Sequence, residues 1–397
     1  TCGFIESAIN ESIDTILALA EHKKTGRCTR LIVTGCLPER FGRDIAEALP
    51  EVDVFLGTGG RDRLVDAIAG AITPGTCIFP NPESLALDTH ASGRRPATYP
   101  MAYLKIAEGC NRRCTYCIIP KLKGRLRSRQ PDDIRREAEE LIAAGYKEIV
   151  LIAQDSSAYG TDLTPPARLA GLLRKLAEHT EGTWLRFLYG SPDYTDEELI
   201  QTVGAYPQIA PYFDLPVQHV SAGVLKRMGR AYSEPLLLSL MAAIREKIPD
   251  AVLRATLLTG FPGETEADFE QLLGFLEKVR FDHVGVFSYS DGEDLAAHNL
   301  PDHVPGPVAD ERRERLMERQ AEISLEKNRQ RISSICRVLV EERIDEGLYV
   351  GRTQFQAPEV DGVTYIAGAG LTPGDFVDVR IKDAYAYDLK GELAWPA

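Results

Sequence analysis

The chain has 397 residues, 44% hydrophobic and 26% charged, which is the make-up of a globular protein of two or three domains with a large core. No apolar run approaches the length of a membrane span, and the eight scattered cysteines do not form a secreted disulfide framework, so a reducing, cytoplasmic setting is expected. A net charge of −13 argues against a protein whose main task is to grip a phosphate backbone.

Residues 1–90 alternate helix and strand. A helix is expected over 5–24, with Ile9, Ile13, Ile16, Leu17 and Leu19 as its apolar face. A strand over 31–34 ends at Gly35-Cys36, followed by a helix near 40–48, a strand over 52–56 and a helix near 61–71. This is an open α/β sheet that begins at Thr1 inside the domain, so its first strand is expected to be missing. In such sheets ligands gather beyond the carboxyl ends of strands, where Cys36 and, by extension, Cys2 would lie. Residues 73–98, rich in proline, read as a linker that contains Cys77.

Residues 99–330 carry six apolar strand-like runs, at 102–106, 148–153, 185–189, 212–215, 253–258 and 284–289. Helical stretches separate them, including Pro131–Ala144 and one opened by the capping pattern Thr195-x-x-Glu198. Six β–α alternations predict a parallel, open β/α barrel with chemistry at the carboxyl ends of its strands. Gln154-Asp155, Gln218-His219 and Gly260-Phe261-Pro262-Gly263-Glu264 fall at that edge, and a charged helix near 307–331 closes the segment. Residues 334–397 change to short alternating runs between glycine and proline turns, which predict a small β-barrel with Cys336 buried in it.

The most specific chemistry lies in Cys110-Asn111-Arg112-Arg113-Cys114-Thr115-Tyr116-Cys117, a C-x3-C-x2-C run with an aromatic before the last cysteine. Three thiolates at this spacing can hold three irons of a [4Fe–4S] cube and leave the fourth open. A structural zinc site, and with it a zinc-binding interaction protein without catalysis, would need a fourth ligand; the next histidine is His179 and the next cysteine Cys336. Behind the run stand Lys121, Lys123, Arg125, Arg127 and Arg129, which read either as a nucleic-acid contact or as partners of nearby carboxylates.

The cysteine run resembles the signature of the radical S-adenosylmethionine (radical SAM) superfamily. Together with Thr1-Cys-Gly-Phe-Ile5, Val33-Thr-Gly-Cys36, Asp214-Leu-Pro-Val-Gln-His219 and Thr259-Gly-Phe-Pro-Gly-Glu264, it makes the whole chain similar to the methylthiotransferases. The resemblance implies three parts: an amino-terminal cluster domain (1–90, incomplete), a radical SAM barrel (99–330) and a TRAM barrel (334–397). It implies two [4Fe–4S] clusters and SAM as cofactors. Cys110, Cys114 and Cys117 would hold the radical SAM cluster. Cys2 and Cys36 would be two of three ligands of an auxiliary cluster, the third lying before Thr1. Tyr116, Gln154, Gln218, Gly260 and Pro262 would contact SAM, with the glycine turn admitting its adenine. Asp155 and Glu264 read as substrate-side or helix-capping carboxylates, and His219 as a core histidine or a catalytic one.

Within this family the opening residues and Gln356-Ala-Pro-Glu-Val-Asp-Gly362 resemble the branch that methylthiolates the β-carbon of an aspartate in small-subunit ribosomal protein S-twelve. That branch implies a basic protein partner, free or in the subunit, and an electron donor. The alternative is the branch that methylthiolates tRNA adenosine. The terminal segment, with six basic residues against eleven acidic ones, favours a basic protein over RNA.

Overall fold

The computed structural model describes residues 1–87 and 99–395. Its amino-terminal part is a parallel three-stranded sheet in the order β1-β2-β3, formed by Ile32–Thr34, Val54–Leu56 and Thr76–Ile78. The helix Glu6–Thr25 packs on the sheet through Ile9, Ile13, Ile16 and Ala20, a stripe at i, i+4, i+7 and i+11. Leu17 and Leu19 fall outside that stripe and are 41% and 46% exposed, contrary to the expected apolar face. The helix expected over 40–48 is two short ones, Cys36–Phe41 and Arg43–Ala48, separated at Gly42 where φ reaches 59°. The helix expected over 61–71 is a 3-10 turn, Thr58–Arg63, running into Leu64–Ile68. Cys77 sits not in a linker but in β3, opposite Phe55, and Pro82–Ser84 forms a 3-10 turn; the last part of that expected linker, 88–98, lies outside the described residues.

The central part begins with β4 (Met101–Lys105). A two-stranded ribbon, β5 (Ala107–Glu108) with β6 (Arg127–Ser128), then brackets the cysteine loop. The remaining strands are β7 (Glu148–Ile152), β8 (Trp184–Phe187), β9 (Tyr212–Asp214), β10 (Val252–Thr259) and β11 (His283–Ser288). They pair in parallel as β4-β7-β8 and β9-β10-β11, and one bridge, Leu185 with Ile209, joins the two triplets. Side chains alternate as a pleated strand requires. Leu104, Ile149, Leu151, Leu185, Phe187, Phe213, Leu253 and Leu257 point outward into one core with the surrounding helices. Met101, Tyr103, Val150, Tyr212 and Val252 point into the bore. The helix Glu197–Ala205 starts at Asp196, whose carboxylate accepts from the Leu199 N–H at 2.9 Å. The expected cap Thr195 instead donates to the Ser191 carbonyl, and the capping box of this region is Thr265 with Asp268. The helix Gly306–Arg329 lies along β10 and β11.

The carboxyl-terminal part is a closed five-stranded barrel, β12-β13-β14-β16-β15, formed by Ile335–Asp345, Leu348–Thr353, Thr364–Ala367, Leu389–Leu393 and Phe376–Ala384. Cys336 is buried in its core with Val338, Ile366 and Val379. Between β13 and β14 the chain leaves this small barrel and enters the bore of the large one. Ala357, fully buried, packs there against Met101, Val150, Leu188, Ala210, Tyr212 and Val252. Among the described residues no helix is long and apolar enough to cross a membrane.

Candidate active site

At the carboxyl ends of the large barrel's strands lies a cavity of about 480 Å³. Cys110, Cys114 and Cys117 all line it, together with Tyr116, Gln154, Asp155, Tyr189, Ser191, Gln218 and Arg230. Phe4, from the amino-terminal part, reaches the same cavity.

The cysteine loop is fixed by contacts to three strand ends. Gly109 turns the chain at φ 82°, where a Cβ would stand 2.0 Å from the Arg125 carbonyl oxygen, and its N–H donates to Gln154 Oε1 at 2.7 Å. Arg112 donates to Asp155 at 2.6 Å, to Asp193 at 2.5 Å and to Ser191 Oγ at 2.5 Å, and lies over the Tyr194 ring. One guanidinium thus ties the loop to the ends of β7 and β8. Tyr116 packs edge-on against Phe261 and accepts from Arg230 at 2.7 Å. Burial pushes the Cys110 thiol up, and the Cys117 thiol to about 11.

These features fit an iron–sulfur cube. Three thiols line one cavity, the donor set that holds three irons of a cube and leaves the fourth open.

Cys36 opens the helix Cys36–Phe41 and packs with Phe4 against Ile118, Leu122 and Leu295, directly behind the cysteine loop. Its thiol is pushed up, first by burial, against the pull of Lys123, and it feels the neighbouring Cys2. Cys2 is exposed beside it, its N–H donating to Ser12 Oγ.

Three of the five residues expected to contact SAM line the cavity: Tyr116, Gln154 and Gln218, the last at φ 67° and bridged to β10 through its backbone. Gly260 and Pro262 are not among the lining residues. Gly260, at φ 75°, owes its missing side chain to helix packing, since a Cβ would stand 2.2 Å from the Ala309 Cβ. Gly260→Ala is therefore expected to destabilise the fold by roughly 1–3 kcal/mol, read by chemical denaturation. A stability within about 0.3 kcal/mol of the parent would refute that packing role.

Asp155 accepts from Ser157 Oγ and the Ala158 N–H as a cap while holding Arg112. His219 is fully buried, its Nδ1 accepts from the Val220 and Ser221 N–H groups, and burial lowers its pKa to about 4, so it is a neutral core residue. Glu264, raised by burial to about 6, accepts from the Gly260 N–H and Arg312 and braces the turn against the helix Gly306–Arg329.

Most of the basic run behind the cysteines is neutralised from within. Arg129 is buried on Asp133 and Glu137, and Arg127 donates to the carbonyls of Pro82, Glu83 and Leu85. Lys121 pairs with Asp294 and Lys123 with Glu108. Burial opposes the Glu108 carboxylate, yet Lys105, Lys123 and Arg61 hold it at about 2.

Arg112, Tyr189 and Arg230 were not singled out by the sequence pattern. Arg112 lies inside the cysteine motif and was the one with a local signal.

An open parallel barrel with three thiols of a C-x3-C-x2-C loop at its carboxyl edge defines a radical SAM enzyme. Family models agree: the radical SAM superfamily matches residues 104–276, the TRAM domain 332–394, and an uncharacterised family, UPF0004, residues 1–57. A solved radical SAM methyltransferase, TsrM of Kitasatospora setae with tryptophan and a SAM analogue, shares the fold at a TM-score of 0.55 and 17% identity, over 86% of this chain and 64% of that one. The ribosomal protein uS12 methylthiotransferase RimO of Desulfosudis oleivorans is 52% identical over 99% of this chain and 90% of its own length. RimO of Clostridioides difficile is 44% identical over 100% and 89%, and RimO of Geobacter sulfurreducens 45% over 99% and 89%. The chain belongs to the RimO family of radical SAM methylthiotransferases.

Proposed function

We propose that this chain methylthiolates the β-carbon of an aspartate in ribosomal protein uS12. The observation that carries the reading is the cavity itself. It gathers the three thiols of the radical SAM motif and Phe4, and Cys36 packs directly behind it. Near-full-length identity to proteins named for this activity supports the substrate.

Cys110, Cys114 and Cys117 would hold one [4Fe–4S] cluster, and Cys2 and Cys36 would contribute to an auxiliary one. When bound, the first supplies the electron that cleaves SAM and the second carries the sulfur to be transferred. The chain's own residues do the rest. Gln154 and Arg112 fix the loop that presents the thiols, and Tyr116, Gln154 and Gln218 offer polar groups to the amino-acid and ribose parts of SAM. Tyr116 lines the cavity, backed from the β10 side by the fully buried Phe261 ring. Internal neutralisation of the basic run removes the main argument for a tRNA substrate.

Mass spectrometry of cells lacking the gene tests the reading. The uS12 aspartate is expected to lose about 46 mass units, the difference between S–CH3 and hydrogen, with tRNA adenosines unchanged. Loss of methylthioadenosine from tRNA with intact uS12 modification would transfer the assignment to the tRNA branch.

A further inference from the structure

The loop between β13 and β14 belongs by sequence to the small barrel and by position to the large one. Asp361, 1% exposed at its side chain, pins the loop's end: it accepts from the Ala357 N–H at 2.8 Å and from Tyr212 OH at 2.6 Å, and Arg254 and His283 stand 3.6 and 3.5 Å away. Phe355 is held by its carbonyl to His283 Nε2 at 3.0 Å. Between these anchors Glu359 adopts φ 66°, a left-handed conformation that costs a non-glycine residue about 1–3 kcal/mol and persists only where its surroundings impose it.

Its carboxylate is exposed and accepts from Tyr103 OH at 2.8 Å, on the bore face of β4. The neighbouring acids of this region are matched by cations: Asp214 by Arg254, and Glu148 by Arg186 and Arg352. Among the described residues no cation pairs with Glu359. Contacts connect the loop to the catalytic cavity: Asp361 faces Arg254, Arg254 holds Asp214, and Asp214 accepts from the N–H of Tyr189, which is 45% exposed and lines that cavity.

The geometry points to Glu359 as a specificity residue that receives a cationic side chain flanking the target aspartate, with the loop around it forming the floor of the substrate channel. This deepens the proposed function and rests on its protein substrate. A carboxylate prearranged by a strained backbone and a phenol loses little freedom on binding, and its pairing with a lysine or arginine discriminates by charge.

The test uses the reconstituted full chain with two forms of the intact ribosomal protein, one natural and one in which the lysine and arginine residues nearest the aspartate on either side are replaced by glutamine. The parent enzyme is expected to prefer the natural form by ~10-fold in kcat/KM, chiefly through KM, as one charge-assisted hydrogen bond gives. Glu359→Gln is expected to erase that preference, and Glu359→Asp to keep part of it. An unchanged preference in Glu359→Gln overturns the inference, as does a loss confined to the KM for SAM. A parent enzyme that modifies neither form but acts on tRNA overturns the proposed function itself, a separate and recognisable result.

Discussion

Alanine at any one of Cys110, Cys114 or Cys117 is expected to abolish reductive SAM cleavage and to remove about four irons per chain after anaerobic reconstitution, the content of one cube. All three thiols line the same cavity, on a loop held by Gly109, Arg112 and Thr115. With two thiolates left, a cube would have two irons without protein ligands, one more than SAM chelation fills. Alanine at Cys77 or Cys336 is the comparison: the first lies in the β3 strand and the second in the small barrel's core, and neither variant should change the iron count. Iron analysis and electron paramagnetic resonance read the outcome. A Cys114→Ala protein that retains its iron and cleaves SAM would remove this loop from the chemistry.

The second large effect concerns stability. Arg352, 1% exposed, donates to Glu148 at 2.6 Å, to Glu341 at 2.7 Å and to the Gln356 carbonyl at 2.9 Å, while Arg186 holds the other Glu148 oxygen at 2.8 Å. Arg352→Ala leaves Glu341 and half of Glu148 buried without a countercharge, which costs about 3–5 kcal/mol. Arg352→Lys keeps the charge but not the fork and should fall between. Urea denaturation measures both, and a loss below about 1 kcal/mol would show that the network contributes little.

The pH dependence has a definite sign. Burial opposes ionised Glu148, but Arg352 and Arg186 hold its pKa below the ordinary carboxylate value. A depressed folded pKa stabilises above the unfolded value of about 4.3, and that stabilisation fades as pH falls through the folded one. The gap between the parent and Arg352→Ala should therefore narrow in acid.

The parts of this architecture that were legible in the sequence are those written in local pattern. The six barrel strands are apolar runs that outward and inward cores both require, and the cysteine spacing is a signal within eight residues. What escaped is set by distant partners. β3 is three residues long and exists through its pairing with β2. Gly260 looked like a ligand cradle because the helix that needs its bare Cα, at Ala309, lies almost fifty residues away in sequence. The charges of Lys121 to Arg129 suggested a nucleic-acid face, and their acidic partners reach from Glu108 to Asp294. Segment 356–362 stood out by its resemblance to one branch of the family, yet nothing local announces that it leaves its own barrel.

That departure bears on how such enzymes can be recombined. Because Ala357, Glu359 and Asp361 are seated among Met101, Tyr103, Tyr212, Arg254 and His283, the terminal barrel is not a detachable module at the end of a chain. A chimera joined at the boundary near residue 334 would deliver a foreign loop into a cavity shaped for this one. Exchange between branches of the family has to carry the loop and the facing strand residues together, so the two regions are constrained to diverge as a unit.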